Sequence, residues 1–247
     1  MATVPVIEAG DITSAGYTGP PTVSSAGIAF DTVNPGDLTI WHLSTDTGNA
    51  DHTIPASGPG GSVFTTIEAN VSGAGAGGPI TSIWYSIASV TATASTFAIQ
   101  LTQAIAGWGA NTIRVPAGEF NSSAPIQTNF GSQQGNATAT ASSPAWTTDA
   151  PADGRVVIYI AVDTQTVDSG SSATGYTNRY VNDHGRVGTF IATRDAGNTS
   201  SESIAGESWG LTGSDTFTAH GYVVNAPASA PPAGTPYISL TLMGVGV

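Results

Sequence analysis

One stretch constrains this chain more than any other: Asp153-Gly154-Arg155-Val156-Val157-Ile158-Tyr159-Ile160-Ala161-Val162-Asp163-Thr164. Its apolar run is short, dominated by β-branched residues and bounded by turn-forming Pro, Gly and Asp on both sides. Such a run reads as a strand buried on both faces, since a half-exposed strand would alternate apolar with polar. The Arg155 stem can lie along the sheet with its charge in water. The stretch has an earlier echo, Pro35-Gly36-Asp37-Leu38-Thr39-Ile40-Trp41-His42-Leu43-Ser44-Thr45-Asp46-Thr47. Each copy has Pro and a Gly/Asp pair, then an apolar strand, then an Asp-Thr ending. A chain with two such strands is built from two similar halves.

The rest of the sequence reads as further strands. Segments 63–71, 79–89, 95–103 and 110–115 carry strand patterns in the first half; 174–180, 187–193, 215–220 and 237–243 follow in the second. Asp215-Thr216-Phe217 parallels Ser95-Thr96-Phe97. Gly, Pro, Ser and Thr interrupt every helical window. The expected fold is all-β with almost no helix: one two-sheet β-sandwich of jelly-roll type made of two similar halves, with two separate small barrels as the runner-up. Residues 1–34, broken by Gly19-Pro20-Pro21, read as an extended N-terminal arm with one or two short strands. Residues 35–247 form the sandwich: half A at 35–118, a low-complexity crossing segment at 119–150, and half B at 151–247.

Charge bounds the partners. The chain has five Arg, no Lys and seventeen Asp plus Glu, for a formal net charge of −12. That argues against nucleic acid and anionic membrane, whose phosphates need cations. No apolar run reaches the ~20 residues of a membrane span. Cysteine is absent, which removes thiol chemistry. The first basic residue is Arg114, so residues 1–11 lack the basic start of an export signal. Synthesis in a host cytoplasm and a composition typical of outer β proteins are reconciled in a virion component released by lysis.

The order of features then resembles a known group: Pro-Gly-Asp-Leu opening a strand (35–38), Pro55-Ala56-Ser57, Trp84-Tyr85, an Ala/Thr-rich Ser-Thr-Phe strand, and a second Ala-Asp-Gly-plus-apolar strand. It is similar to β-sandwich virion proteins of tailed bacteriophages that decorate capsids or sit on tails, and the likeness covers nearly the whole chain. The resemblance implies a non-enzymatic capsid decoration or cement subunit. Its partners would be the major capsid protein, other virion subunits and copies of itself, with a trimer favoured. It implies no cofactor and no catalytic residues.

Motifs with chemical overtones weigh less. Gly206-Glu207-Ser208-Trp209-Gly210 matches a nucleophile elbow, with Asp215 and His220 following in triad order. The elbow needs a helix after it, and Leu-Thr-Gly-Ser-Asp cannot start one. Gly73 to Gly78 fits a dinucleotide fingerprint but leads through Pro79 into a strand. Acidic loops at 46–52 and 163–168 supply oxygen ligands without calcium-loop spacing, so no metal is assigned. The four His (His42, His52, His184, His220) are scattered, structural groups. The alternative to a structural subunit is a carbohydrate- or receptor-binding module of a head or tail fibre. There Trp108, Trp146, Trp209 and Tyr176 would stack on the rings of a host surface glycan.

Overall fold

The computed structural model describes residues 4–46, 51–73, 78–127, 129–149, 154–195 and 201–228. Thirteen strands run through them: β1 (Ile12–Phe30), β2 (Leu38–Thr45), β3 (His52–Thr53), β4 (Thr65–Ser72), β5 (Ile80–Ile87), β6 (Ser95–Val115), β7 (Gly131–Ser142), β8 (Trp146–Thr147), β9 (Gly154–Asp163), β10 (Thr177–Asp183), β11 (Val187–Asp195), β12 (Ser203–Ile204) and β13 (Ser208–Asn225). Two three-residue 3-10 turns are the only helical elements among these residues. The strand expected at 237–243 lies outside them.

Two antiparallel sheets form a β-sandwich. The first has the order β1-β6-β2-β5-β4, with the short β3 also on β6; the second has the order β10-β11-β9-β13-β7. Read from the other edge, the second is β7-β13-β9-β11-β10, so the halves repeat strand for strand: β1 matches β7, β6 matches β13, β2 matches β9, and the β4–β5 pair matches β10–β11. The echoed strands β2 and β9 are the central strand of each sheet. Each half completes its own sheet before the next begins, so the connectivity is two repeats in series and not the sheet-to-sheet alternation of a jelly roll.

The repeat relocates two segments. The stretch expected as an arm supplies β1, a 19-residue edge strand whose register against β6 breaks between Thr18 and Val23, around Gly19-Pro20-Pro21. An edge is where a sheet tolerates Pro, because one rim of the strand bonds nothing. The crossing segment likewise contains the 12-residue edge strand β7. Both are the first strand of a repeat. Segments 95–103 and 110–115 merge into the single β6, and their proposed parallel with Asp215–Phe217 is out of register. Thr45 opposes Trp108 and Val162 opposes Phe217, so the repeat partner of Phe217 is Trp108.

Apolar layers explain the unbroken hydrophobic run of β9. Leu38, Ile40, Ile83, Ile113 and Val115 of the first sheet pack against Val157, Tyr159, Val187, Ile191, Tyr222 and Val224 of the second, forming the sandwich interior. The opposite face of the second sheet is also buried: Val156, Ile158, Ile160, Val162, Phe190 and Trp209 pack with Val167 and Ala173 from the loop after β9 and with Ile204 of β12. Val156, Val157, Ile158, Ile160 and Val162 are at most 1% exposed, and each contributes about 1.5–3 kcal/mol by leaving water. A third cluster, centred on Trp41, Trp84, Ile99 and Trp108, covers the outer face of the first sheet. Trp41 and Trp84 stack there at 6.4 Å and 5°.

Candidate functional site

Three polar places stand out. The first is the middle of the sandwich. Inward positions of β2 and β6 carry His42 and Asn111, paired across the ladder; the matching positions of β9 and β13 carry Tyr159 and His220, also paired. The His42 ring stacks on Tyr159 at 4.5 Å and 16°, and His42 Nε2 meets the Tyr222 hydroxyl at 2.9 Å. Ser44 Oγ bonds Tyr159 at 2.9 Å and Thr81 at 2.7 Å, and Thr81 continues to Thr218 at 2.7 Å. His220 Nδ1 pairs with the Glu68 carboxylate of edge strand β4. Burial holds the His42 imidazole down to about 3, with His220 acting in the same direction; burial also pushes the Tyr159 and Tyr222 phenols up. The ring of His42 is 0% exposed, so this network ties the sheets together and offers nothing to a substrate.

The second place lies where the two Asp-Thr endings of the echo meet. Asp46 and Asp163 occupy matched positions at the ends of β2 and β9 and face one guanidinium, that of Arg186, which is 3.5 Å from Asp46. Burial raises the Asp163 carboxyl to about 6, and the nearby charges of Asp215 and Asp46 add to it. Asp46 is also raised, chiefly by burial. The acidic loops at 46–52 and 163–168 thus do come together at their first residues; 47–50 lie outside the described residues. Among those residues, no group of three or more His, Asp or Glu could hold a metal ion.

A third place is a cavity of about 470 Å³ at one end of the second sheet. Arg155 of β9, Thr177 of β10 and Arg194 of β11 line it from the sheet, Tyr176 and Glu207 come from the flanking loops, and Ser203 comes from β12. The β9–β11 register explains the crowding of arginines here: Arg155 and Asp195 oppose each other across the ladder, with Arg194 beside them opposite Val156, and Arg155 and Asp195 pair at 2.5 Å. Arg155 Nε also donates to Pro5 O at 2.8 Å. Arg194 pairs with Glu202 at 2.8 Å and stands 5.5 Å over the Tyr176 ring. Tyr176 meets Trp209 edge-on at 5.5 Å. Burial pushes its phenol up, against an opposing pull from Arg194.

The four aromatics expected to face a glycan separate accordingly. Tyr176 lines the cavity. Trp209 is 0% exposed and Trp108 is 6% exposed, so neither offers a face for stacking: Trp108 packs with Ala26, Ile28, Ile99 and Leu101 from the far ends of β1 and β6, and Trp209 packs with Val167, Ala173 and Ile204. Trp146 is half-buried and leans over Gly221, whose Cβ would lie 2.3 Å from the indole. The sequence missed Arg155, Arg194 and Glu207 as a group, because only the pairing of β9 with β11 and the return of the 201–207 loop bring them together.

Ser208, Asp215 and His220 all belong to β13, whose register shifts twice between Gly210 and Phe217, and each bonds a different partner. Ser208 bonds Ser142 at 2.9 Å, Asp215 accepts from the Thr164 hydroxyl at 2.6 Å, and His220 faces Glu68 inside. The three do not meet, and Ser208–Gly210 opens β13 in place of a turn. No helix among the described residues is long and apolar enough to cross a membrane. No protein-family model matches the chain, and neither a curated protein nor a solved structure matches it.

Proposed function

We propose that the chain is a non-catalytic structural subunit of a tailed-bacteriophage particle, decorating or cementing the capsid through the major capsid protein and copies of itself, as a trimer. One observation carries the reading beyond the resemblance in feature order. Both sheets end in a long edge strand without a single charged residue: β1, Ile12–Phe30, and β7, Gly131–Ser142. Monomeric β proteins guard such edges with Lys or inward charges, because an open rim of N–H and C=O groups templates pairing with another chain. Here the charge guard is missing at two matched places, leaving only the Pro20-Pro21 break in β1, and Ser, Thr, Gln and Ala there permit close approach without desolvating a charge. An assembling subunit needs such edges.

The test is direct. Antibody raised against the chain and carried on gold is applied to purified particles from lysates of the source that encodes it. Regular labelling of the particle surface supports the proposal. Label confined to the soluble fraction overturns it. The edges are tested with Gln134→Lys plus Ala139→Lys on exposed β7 positions, which should abolish self-association while leaving the thermal midpoint unchanged.

A further inference from the structure

From the cavity beside Tyr176 we infer a binding site for a neutral saccharide, independent of whether the chain sits on a particle. The wall of the cavity carries unspent bonding capacity. Both guanidinium groups in the wall are already neutralised, Arg155 by Asp195 and Arg194 by Glu202. The Glu207 carboxylate makes no ion pair or side-chain hydrogen bond among the described residues. The hydroxyls of Thr174, Thr177 and Ser203, on exposed positions of the rim, are likewise uncommitted. What remains for a ligand is therefore a strong acceptor, three hydroxyls able to donate or accept, and the side of a fixed aromatic ring.

That set selects by charge. An anion would meet the free Glu207 carboxylate, and to reach either arginine it would have to displace a carboxylate held at 2.5 or 2.8 Å. A cation would meet Arg194 already standing over the Tyr176 ring, with Arg155 in the same wall. A neutral polyol meets neither obstacle. Its vicinal hydroxyls can donate to Glu207 in pairs, its ring oxygens can accept from the arginine N–H groups still unspent, and its C–H face can lie on Tyr176. The cavity volume of about 470 Å³ is within the usual range for small-molecule sites. Tyr176 is fixed by Trp209 on one side and Arg194 on another, so little ordering of the wall opposes binding.

Saturation-transfer NMR on the full chain tests this with maltotriose, cellotriose and chitotriose as neutral probes, and 3′-sialyllactose, inorganic phosphate and tetramethylammonium as charged ones. Each is used at about 10 mM, enough to register a millimolar Kd. At least one neutral trisaccharide should give transfer, and none of the charged probes should. Glu207→Gln should weaken that binding about tenfold, and Thr177→Trp, which fills the mouth from an exposed position, should abolish it. Unchanged thermal midpoints confirm that both variants fold. Silence from all three neutral probes overturns the inference, as does tighter binding of phosphate or tetramethylammonium, or neutral binding that both variants leave intact.

Discussion

Lowering the pH from about 7.5 to about 5 is expected to remove roughly 3 kcal/mol of folding stability, and two buried histidines carry the effect. His42 and His52 are held by burial at about 3 in the folded chain, against 6.5 when exposed. His42 sits between Tyr159 and Tyr222; His52 bonds Ser82 at 2.9 Å and Thr45 at 3.2 Å. Between these values the unfolded chain binds a proton that the folded chain refuses. Stability is therefore full above about pH 6.5 and falls as the pH drops toward 3. At pH 5 each histidine costs about 1.5 pH units at 1.36 kcal/mol, or about 2 kcal/mol, and about 4 kcal/mol together. Asp163 opposes this, since its folded value of about 6 lies above 3.8. It gains at most about 1.4 kcal/mol by pH 5, about half of that once its partial exposure is allowed for. Asp37 does not enter the window. Burial alone would raise it, but bonds from Asn34 N–H, Arg114 and Ala117 N–H outweigh burial and hold it below 3.8, so its contribution is lost only at still lower pH. A net loss of about 3 kcal/mol is a large part of a typical 5–15 kcal/mol. Urea titrations at a series of pH values measure it, and the His42→Gln plus His52→Gln double variant should show a flat or slightly rising profile in place of the fall. A wild-type profile flat to pH 5, or an unchanged slope in the double variant, would refute the reasoning.

Other perturbations have expected sizes. Trp84→Ala, at a residue 0% exposed and stacked on Trp41, should cost about 3–5 kcal/mol in chemical denaturation. Gly188→Ala should fail to fold or lose several kcal/mol, because the new Cβ would stand 2.0 Å from Gln165 O; near-UV circular dichroism reads the outcome. Asp37→Ala removes the acceptor for Asn34 N–H, Arg114 Nε and Ala117 N–H, at 2.9, 2.8 and 3.0 Å. It should cost about 2–4 kcal/mol in the same denaturation assay.

How much of this could be read in advance depends on what each strand buries. β2 and β9 were legible because both their faces are covered, which forces a continuous apolar run. β1 and β7 were not, since an edge strand with one open rim and few buried side chains can be written largely in Gly, Ser, Thr and Pro without penalty. Trp108 and Trp209 misled for a related reason: an aromatic count does not say whether other parts of the chain will close over a sheet's outer face, as the far ends of β1 and β6 do around Trp108. The polar centre was hidden by distance along the chain, with His42 and Tyr222 180 residues apart. Only the registers of β2 with β6 and of β9 with β13 bring them inward together. The cavity shows the same limit, because Arg155, Tyr176 and Glu207 become neighbours through pairing that no local pattern records.

The serial arrangement of the two repeats has a consequence for how the chain can be divided. No described strand of either main sheet crosses to the other, so a cut between Gly118 and Glu119 severs no ladder of β1–β6 and none of β7–β13. Each piece would keep its own sheet yet expose an inner face, Leu38, Ile40 and Ile113 on one and Val157, Tyr159 and Tyr222 on the other. Two fragments produced separately should therefore be sticky alone and recombine when mixed, with His42 and Tyr159 restacked at the join. By the same logic, a piece from one molecule can complete a piece from another. Exchange of halves between neighbours is thus open to this fold at no cost in contacts.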